Sequence, residues 1–241
     1  MDTLDWTKIN PDIGILYTKK KFFNKYLFRA NYFVPGARLI TYYRSEVDDK
    51  VLFRRVDQYN SHANARKTVF GRLSADHQQI KDFSKLFHNK KANKLSEDIK
   101  FRIEGCNFSI YSDNEASIFE IANQELSDWK SKLRSVSLIE NSNSLELLMG
   151  GHTIVSKPQT HPYKIKLRET FNYSFERNCL MCYLQNLGED VKVTEYILDR
   201  LSLENKYFPG GYVYVNDHRL IDMMRLVAPN LIGTVQILVT Q

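Results

Sequence analysis

The chain writes one pattern twice. Residues 210–239 read GGYVYVNDHRLIDMMRLVAPNLIGTVQILV, and residues 106–140 read CNFSIYSDNEASIFEIANQELSDWKSKLRSVSLIE, with Asp113 and Asp217 standing 104 positions apart. In each, a short aromatic and β-branched run ends at an Asp, an amphipathic stretch follows, and a second apolar run closes the unit. Alternation with period two marks a strand, spacing of three to four marks a helix, and a short acidic side chain between them accepts from the first free helical N–H groups. The pattern therefore predicts strand, cap, helix and strand in both places, with Asp113 and Asp217 as the caps.

The surrounding residues extend each unit in the same way. Lys25 to Val34 is rich in aromatic and β-branched residues and stops at Pro35-Gly36, a turn pair. From Asp57 to Lys91 the chain is polar and basic, and within it Ser74 is placed to cap a helix carrying Ile80, Phe83, Leu86 and Phe87 on one side. Ile99–Glu104 and Asn107–Ser112 read as strands joined at Gly105-Cys106, followed by a helix from Asp113 to about Leu133 and a strand at Ser135–Glu140. Residues 141–160 break the pattern with an Asn and Ser cluster, Gly150-Gly151 and Pro158, and read as a linker. Beyond it, Tyr163 to Glu169 alternates as a strand, Ser174 to Leu187 is helical up to Gly188, and Val191 to Leu203 reads as strand, helix or both.

The order β, α, β, β, α, β occurs twice, so the expected fold class is α+β: two tandem ferredoxin-like domains, each an antiparallel four-stranded sheet with helices on one face. The expected organisation is an N-terminal arm (1–23), a first domain with a long basic insertion (24–140), the linker (141–160) and a second domain (161–241).

Composition sets the class of partner. With 43% hydrophobic and 26% charged residues, 241 residues can bury a full core, and a net charge of +6 favours contact with anionic partners without naming one. The N-terminal stretch MDTLDWTKINPDIG is acidic where a secretory signal is basic, and no apolar run approaches the roughly 18 residues of a membrane span. A soluble, cytoplasmic chain with no membrane partner is expected. Cys106, Cys179 and Cys182 are odd in number and lack metal-ligand spacing, so buried structural thiols, no metal and no cofactor are expected.

In a sheet covered by helices on one face, alternation decides what the other face carries. Val213 and Val215 turned inward leave Tyr212 and Tyr214 outward, and the neighbouring strand adds Lys164, Lys166 and Arg168. The string Gly211-Tyr212-Val213-Tyr214-Val215 resembles the signature strand of RNA-recognition-motif domains, with Gly210 in place of the usual basic residue and Asp217 in place of a third aromatic. The resemblance implies base stacking on Tyr212 and Tyr214. In the first unit Phe108 and Ile110 are expected at the matching positions. A second candidate is the basic stretch with Arg54, Arg55, Arg66, Lys67 and Arg72, interleaved with Tyr59 and Phe70; guanidinium groups both bind phosphate bidentately and stack.

No phosphate-binding glycine loop, nucleophile elbow or metal-ligand spacing marks an enzyme, and the six histidines are scattered. The layout is similar to that of the repeat-processing endoribonucleases of CRISPR systems, which would make His62 or His152 an acid-base group. A third reading is a structural or assembly subunit, viral or otherwise, docking through its sheets and the aromatic arm with Trp6, Tyr17, Phe22 and Phe23. The expected function is non-catalytic binding of RNA or single-stranded DNA through the basic loop and the open sheet faces.

Overall fold

A computed structural model describes residues 5–42, 49–65, 73–93, 98–123, 129–203 and 207–241. Its contacts divide the chain into two units, Met1–Ser142 and Asn143–Gln241. Each unit is an α+β layer structure built on one five-stranded sheet.

In the first unit the strands are β1 (Gly14–Thr18), β2 (Phe28–Phe33), β3 (Ile99–Glu104), β4 (Asn107–Ser112) and β5 (Leu133–Ile139), in the spatial order β1-β5-β2-β4-β3. The helices are α1 (Asp49–Ala65), α2 (His77–Asn93), α3 (Glu115–Asn123) and α4 (Trp129–Lys132). The second unit has α5 (Ser142–Met149), β6 (His152–Val155), β7 (Tyr163–Leu167), α6 (Ser174–Asn186), β8 (Val191–Lys192), α7 (Glu195–Ser202), β9 (Gly211–Val215), α8 (His218–Val227) and β10 (Ile232–Thr240). Its sheet order, β6-β10-β7-β9-β8, is that of the first with every index raised by five.

The sheets are mixed, which corrects the expectation of purely antiparallel ones. β1 runs parallel to β5 and β6 parallel to β10, while the remaining pairs are antiparallel. The cause lies in the connection. The chain reverses between β1 and β2 and leaves a gap one strand wide, and β5, entering antiparallel to β2, must run parallel to β1. The same holds for β10 between β6 and β7. These extra strands come from the stretches read as arm and linker: β1 lies within 1–23, and 141–160 carries α5 and β6.

One face of each sheet holds the core. In the first unit Phe108 and Ile110 of β4 are fully buried, with the Phe83 ring of α2 5.5 Å from Tyr32 and 4.9 Å from Phe108. Trp6 is buried in its own unit, edge-on to Phe119 and donating its Nε1–H to Glu115 Oε1 at 2.9 Å. It is therefore not a free docking ring of an arm. In the second unit Ile165, Leu167, Val213 and Val215 pack against Leu180, Leu184, Ile221 and Met224 of the two flanking helices. Arg177, 1% exposed, lies within this core and donates from its guanidinium to the carbonyls of Arg200 and Leu203, the last turn of α7. Among the described residues no helix is long and apolar enough to cross a membrane.

Candidate nucleic-acid interface

β7 and β9 lie side by side, with Lys164 paired to Tyr214 and Lys166 to Tyr212. Paired residues share a face. Because Ile165, Val213 and Val215 are fully buried in the core, these four side chains stand on the opposite face, with Tyr212 44% exposed and Lys166 exposed. The Lys164 ammonium lies 4.0 Å from the Tyr212 ring centroid and 6.0 Å from that of Tyr214. β8 adds Lys192 opposite Tyr214, and β10 adds Gln236 opposite Lys164. Arg168 follows at the exposed end of β7, where it borders a shallow depression with Lys166, Gly233 and Thr234. Glu169 joins that rim and accepts the Tyr207 hydroxyl at 2.6 Å, a bond that holds the phenol above its usual pKa.

Such a face can do two things. Tyrosine rings in a strand offer flat stacking surfaces to bases, and ammonium and guanidinium groups beside them draw phosphates. The glycines at the head of β9 have structural duties. Gly210 takes φ +72°, and a Cβ there would meet Leu167 O at 2.7 Å; at Gly211 it would meet Ile197 Cδ1 at 2.6 Å. Gly211 lets α7 close onto the sheet and Gly210 lets the chain pass against β7, so this glycine pair is explained without a ligand.

The other candidate residues divide. Arg54 and Arg55 are exposed on α1, which is a helix where a polar loop was expected. Its buried residues Leu52 and Val56 are four apart, and Asn60, a further four on, clamps Ala75 through two hydrogen bonds, of 2.9 and 2.7 Å. Arg66, Lys67 and Arg72, with Phe70, lie outside the described residues.

In the first unit the expectation fails for a definite reason. Phe108 and Ile110 face the core, and the outer face of β4 carries Ser109 and Tyr111. The helix there is capped by Asn114, whose Oδ1 accepts from Ala116 N at 2.9 Å, as Asp217 Oδ1 accepts from Arg219 N at 2.8 Å in the second unit. Matching Asp113 to Asp217 shifts the alignment by one residue, and in a strand one residue exchanges the faces. Similarly Asp76 and not Ser74 caps α2, its Oδ1 accepting from Gln79 N at 2.8 Å.

His62 is exposed on α1, and His152 Nδ1 lies 3.2 Å from Leu147 O; among the described residues neither bonds to a carboxylate. The described residues hold no cluster of three or more His, Cys, Asp or Glu that could bind a metal ion. The thiols are not buried as expected: Cys106, in the turn between β3 and β4, is half-buried, and on α6 Cys179 is half-buried and Cys182 exposed because the inward side of that helix is taken by Arg177, Leu180 and Leu184. Compared with protein-family models, with curated proteins and with solved structures, the chain finds no match.

Proposed function

We propose that the chain binds RNA or single-stranded DNA without catalysis, through the open face of the second sheet and the basic stretch from Arg54 to Arg72, on two ferredoxin-like cores each extended by a parallel edge strand. One observation carries the reading: Tyr212 stands outward from β9, flanked by strands on both sides, with the Lys164 ammonium 4.0 Å from its ring and Lys166 paired beside it. A base stacked on the ring and phosphates on the lysines satisfy both groups at once. Stacking of a base on an aromatic side chain contributes roughly 1–3 kcal/mol and tolerates any sequence. Phosphate contacts add affinity that falls with salt.

The test is binding of the full chain to labelled single-stranded RNA, single-stranded DNA and duplex DNA at two salt concentrations, with the RNA recovered and sized. Salt-sensitive binding to single strands, weakened in Tyr212→Ala/Tyr214→Ala, is the expected result. Absence of binding at low salt rejects the reading, and shortened RNA replaces it with the nuclease.

A second reading, a subunit that docks on other proteins, draws on Phe171, 74% exposed on the loop after β7, and Phe175, 79% exposed in the first turn of α6. Aromatic rings at such exposure are enriched at protein interfaces. Phe171→Ser/Phe175→Ser separates the two: nucleic-acid affinity stays unchanged if these rings serve a protein partner.

A further inference from the structure

One row of the first sheet's outer face repeats a row of the second's. On β4, Tyr111 is paired with Arg29 of β2 and Lys100 of β3. On β9, Tyr214 is paired with Lys164 of β7 and Lys192 of β8. Two residues back along the strand the match breaks, because Ser109 stands where the other sheet has Tyr212.

The missing ring arrives from outside the sheet. A turn closed by reciprocal backbone hydrogen bonds between Phe22 and Tyr26, of 2.7 and 2.9 Å, lays Phe23 edge-on to Tyr111 at 5.0 Å between centroids. Lys100 Nζ lies 3.6 Å from the Phe23 centroid and the Arg102 guanidinium 5.2 Å, and Arg102 is the residue paired with Ser109. The turn holds Phe23 at φ 55° and Asn24 at φ 57°. The left-handed region costs a residue with a Cβ roughly 1–2 kcal/mol, most readily tolerated by Asn. Phe23 covers Tyr111 with one part of its ring and leaves the rest open, 42% exposed, so packing alone uses only part of the ring that the turn presents. Strain of this kind, held by surrounding contacts, marks positions of use.

The cations on this face sit by rings: Arg29 is 5.2 Å from Phe22, and Arg134 3.7 Å from Phe33. Glu104, on β3, is already engaged with Arg102. An excess of arginine and lysine over carboxylate, set among aromatic rings, suits a polyanion whose repeating units also carry flat apolar groups.

We infer that this face is a second, separate site for single-stranded nucleic acid, with Phe23 as the stacking ring and Lys100 and Arg102 as the phosphate contacts. From the reading of the second sheet it takes only the kind of ligand. A base lies on the exposed part of the Phe23 ring, and Lys100 moves from the ring to the adjoining phosphate. No covalent step is involved.

The experiment is calorimetric titration of the full chain with a short oligothymidylate, in wild type, Phe23→Leu, Lys100→Gln/Arg102→Gln and Tyr212→Ala/Tyr214→Ala. Phe23→Leu keeps an apolar side chain in the turn, and the Gln pair changes only side-chain ends, so melting temperatures near wild type verify that both fold. The expected result is two oligonucleotides per chain in wild type and one in each variant, with Tyr212→Ala/Tyr214→Ala leaving a site that Phe23→Leu weakens about tenfold or more. One oligonucleotide per wild-type chain, lost entirely in Tyr212→Ala/Tyr214→Ala, overturns the inference and leaves the second sheet's role intact. Binding in the tyrosine double variant that is indifferent to Phe23, Lys100 and Arg102 overturns it as well. If instead Tyr212→Ala/Tyr214→Ala changes nothing while Phe23→Leu removes a site, the second-sheet reading fails and this one holds.

Discussion

Tyr111 and Tyr214 hold the same register position in their two sheets, each between a cation on the strand to one side and a lysine on the strand to the other. Their surroundings differ. Tyr111 is 4% exposed beneath Phe22, Phe23 and Tyr26, whereas Tyr214 is half-buried under open solvent. Truncation separates a packing ring from a surface ring: Tyr111→Ala is expected to lower stability by about 3 kcal/mol, and Tyr214→Ala by less than about 1 kcal/mol. Urea denaturation of the two variants side by side checks this, and equal losses would contradict it.

Lys166 and Arg168 are exposed on one edge of the proposed interface and share a depression. Each Gln substitution is expected to weaken binding to every sequence alike and to lower the slope of log affinity against log salt by about one. Tyr212→Ala is expected to weaken single-strand binding while leaving that slope unchanged. Anisotropy titrations across a salt series measure both, and an unchanged slope in Lys166→Gln would remove that residue from the interface.

Arg177 tethers the end of α7 from inside the core through two carbonyls. Arg177→Met fills similar volume but leaves those carbonyls without their donor. The expected loss is roughly 1–3 kcal/mol, read as a lower midpoint in denaturant.

Asp113 is raised above its ordinary value of 3.8, chiefly because burial disfavours its charged form, with Lys25 acting against the rise and Asp98 adding to it. A raised pKa means that the folded protein holds the proton more tightly than the unfolded chain. Its contribution to stability is therefore present below pH 3.8 and is lost as the pH rises through the folded value. Asp113→Asn is expected to melt higher than wild type at pH 7, with the gap closing toward pH 3. A gap that widens on acidification would reverse the sign.

Gly210 combines φ +72° with a backbone oxygen, Leu167 O, only 2.7 Å from where a Cβ would stand. Gly210→Ala is expected to cost more than about 1 kcal/mol, since neither the left-handed conformation nor the strand contact can relax. Thermal melting of the variant checks it.

Much of the second unit was readable because its signals are local. Asp217 does cap α8, and the 191–203 stretch, readable as strand, helix or both, is a two-residue strand followed by α7. In the first unit two small polar side chains, Asp113 and Asn114, stand in succession, and the cap falls on the second, which turns the outer face by one residue from the expected one. β1 was missed for another reason. Ile15, Leu16 and Tyr17 are all exposed, so no alternation marks them, and their pairing depends on Ser135 to Leu138 far along the chain. The Phe23 contacts were equally illegible, because a ring carried on a strained turn leaves no periodicity to read.

The parallel edge strand also sets a clock. Among the described residues β1 is bonded to no strand but β5, so Gly14 waits for Ser135, 121 residues later in the chain. At ribosomal speeds of roughly 5–20 residues per second that wait is on the order of ten seconds. During it a segment with Ile15, Leu16 and Tyr17 has left the ribosome with no strand to pair with. β1 thus precedes its partner strand by most of the first unit's length, and its three exposed apolar side chains gain their place in the sheet only when β5 arrives.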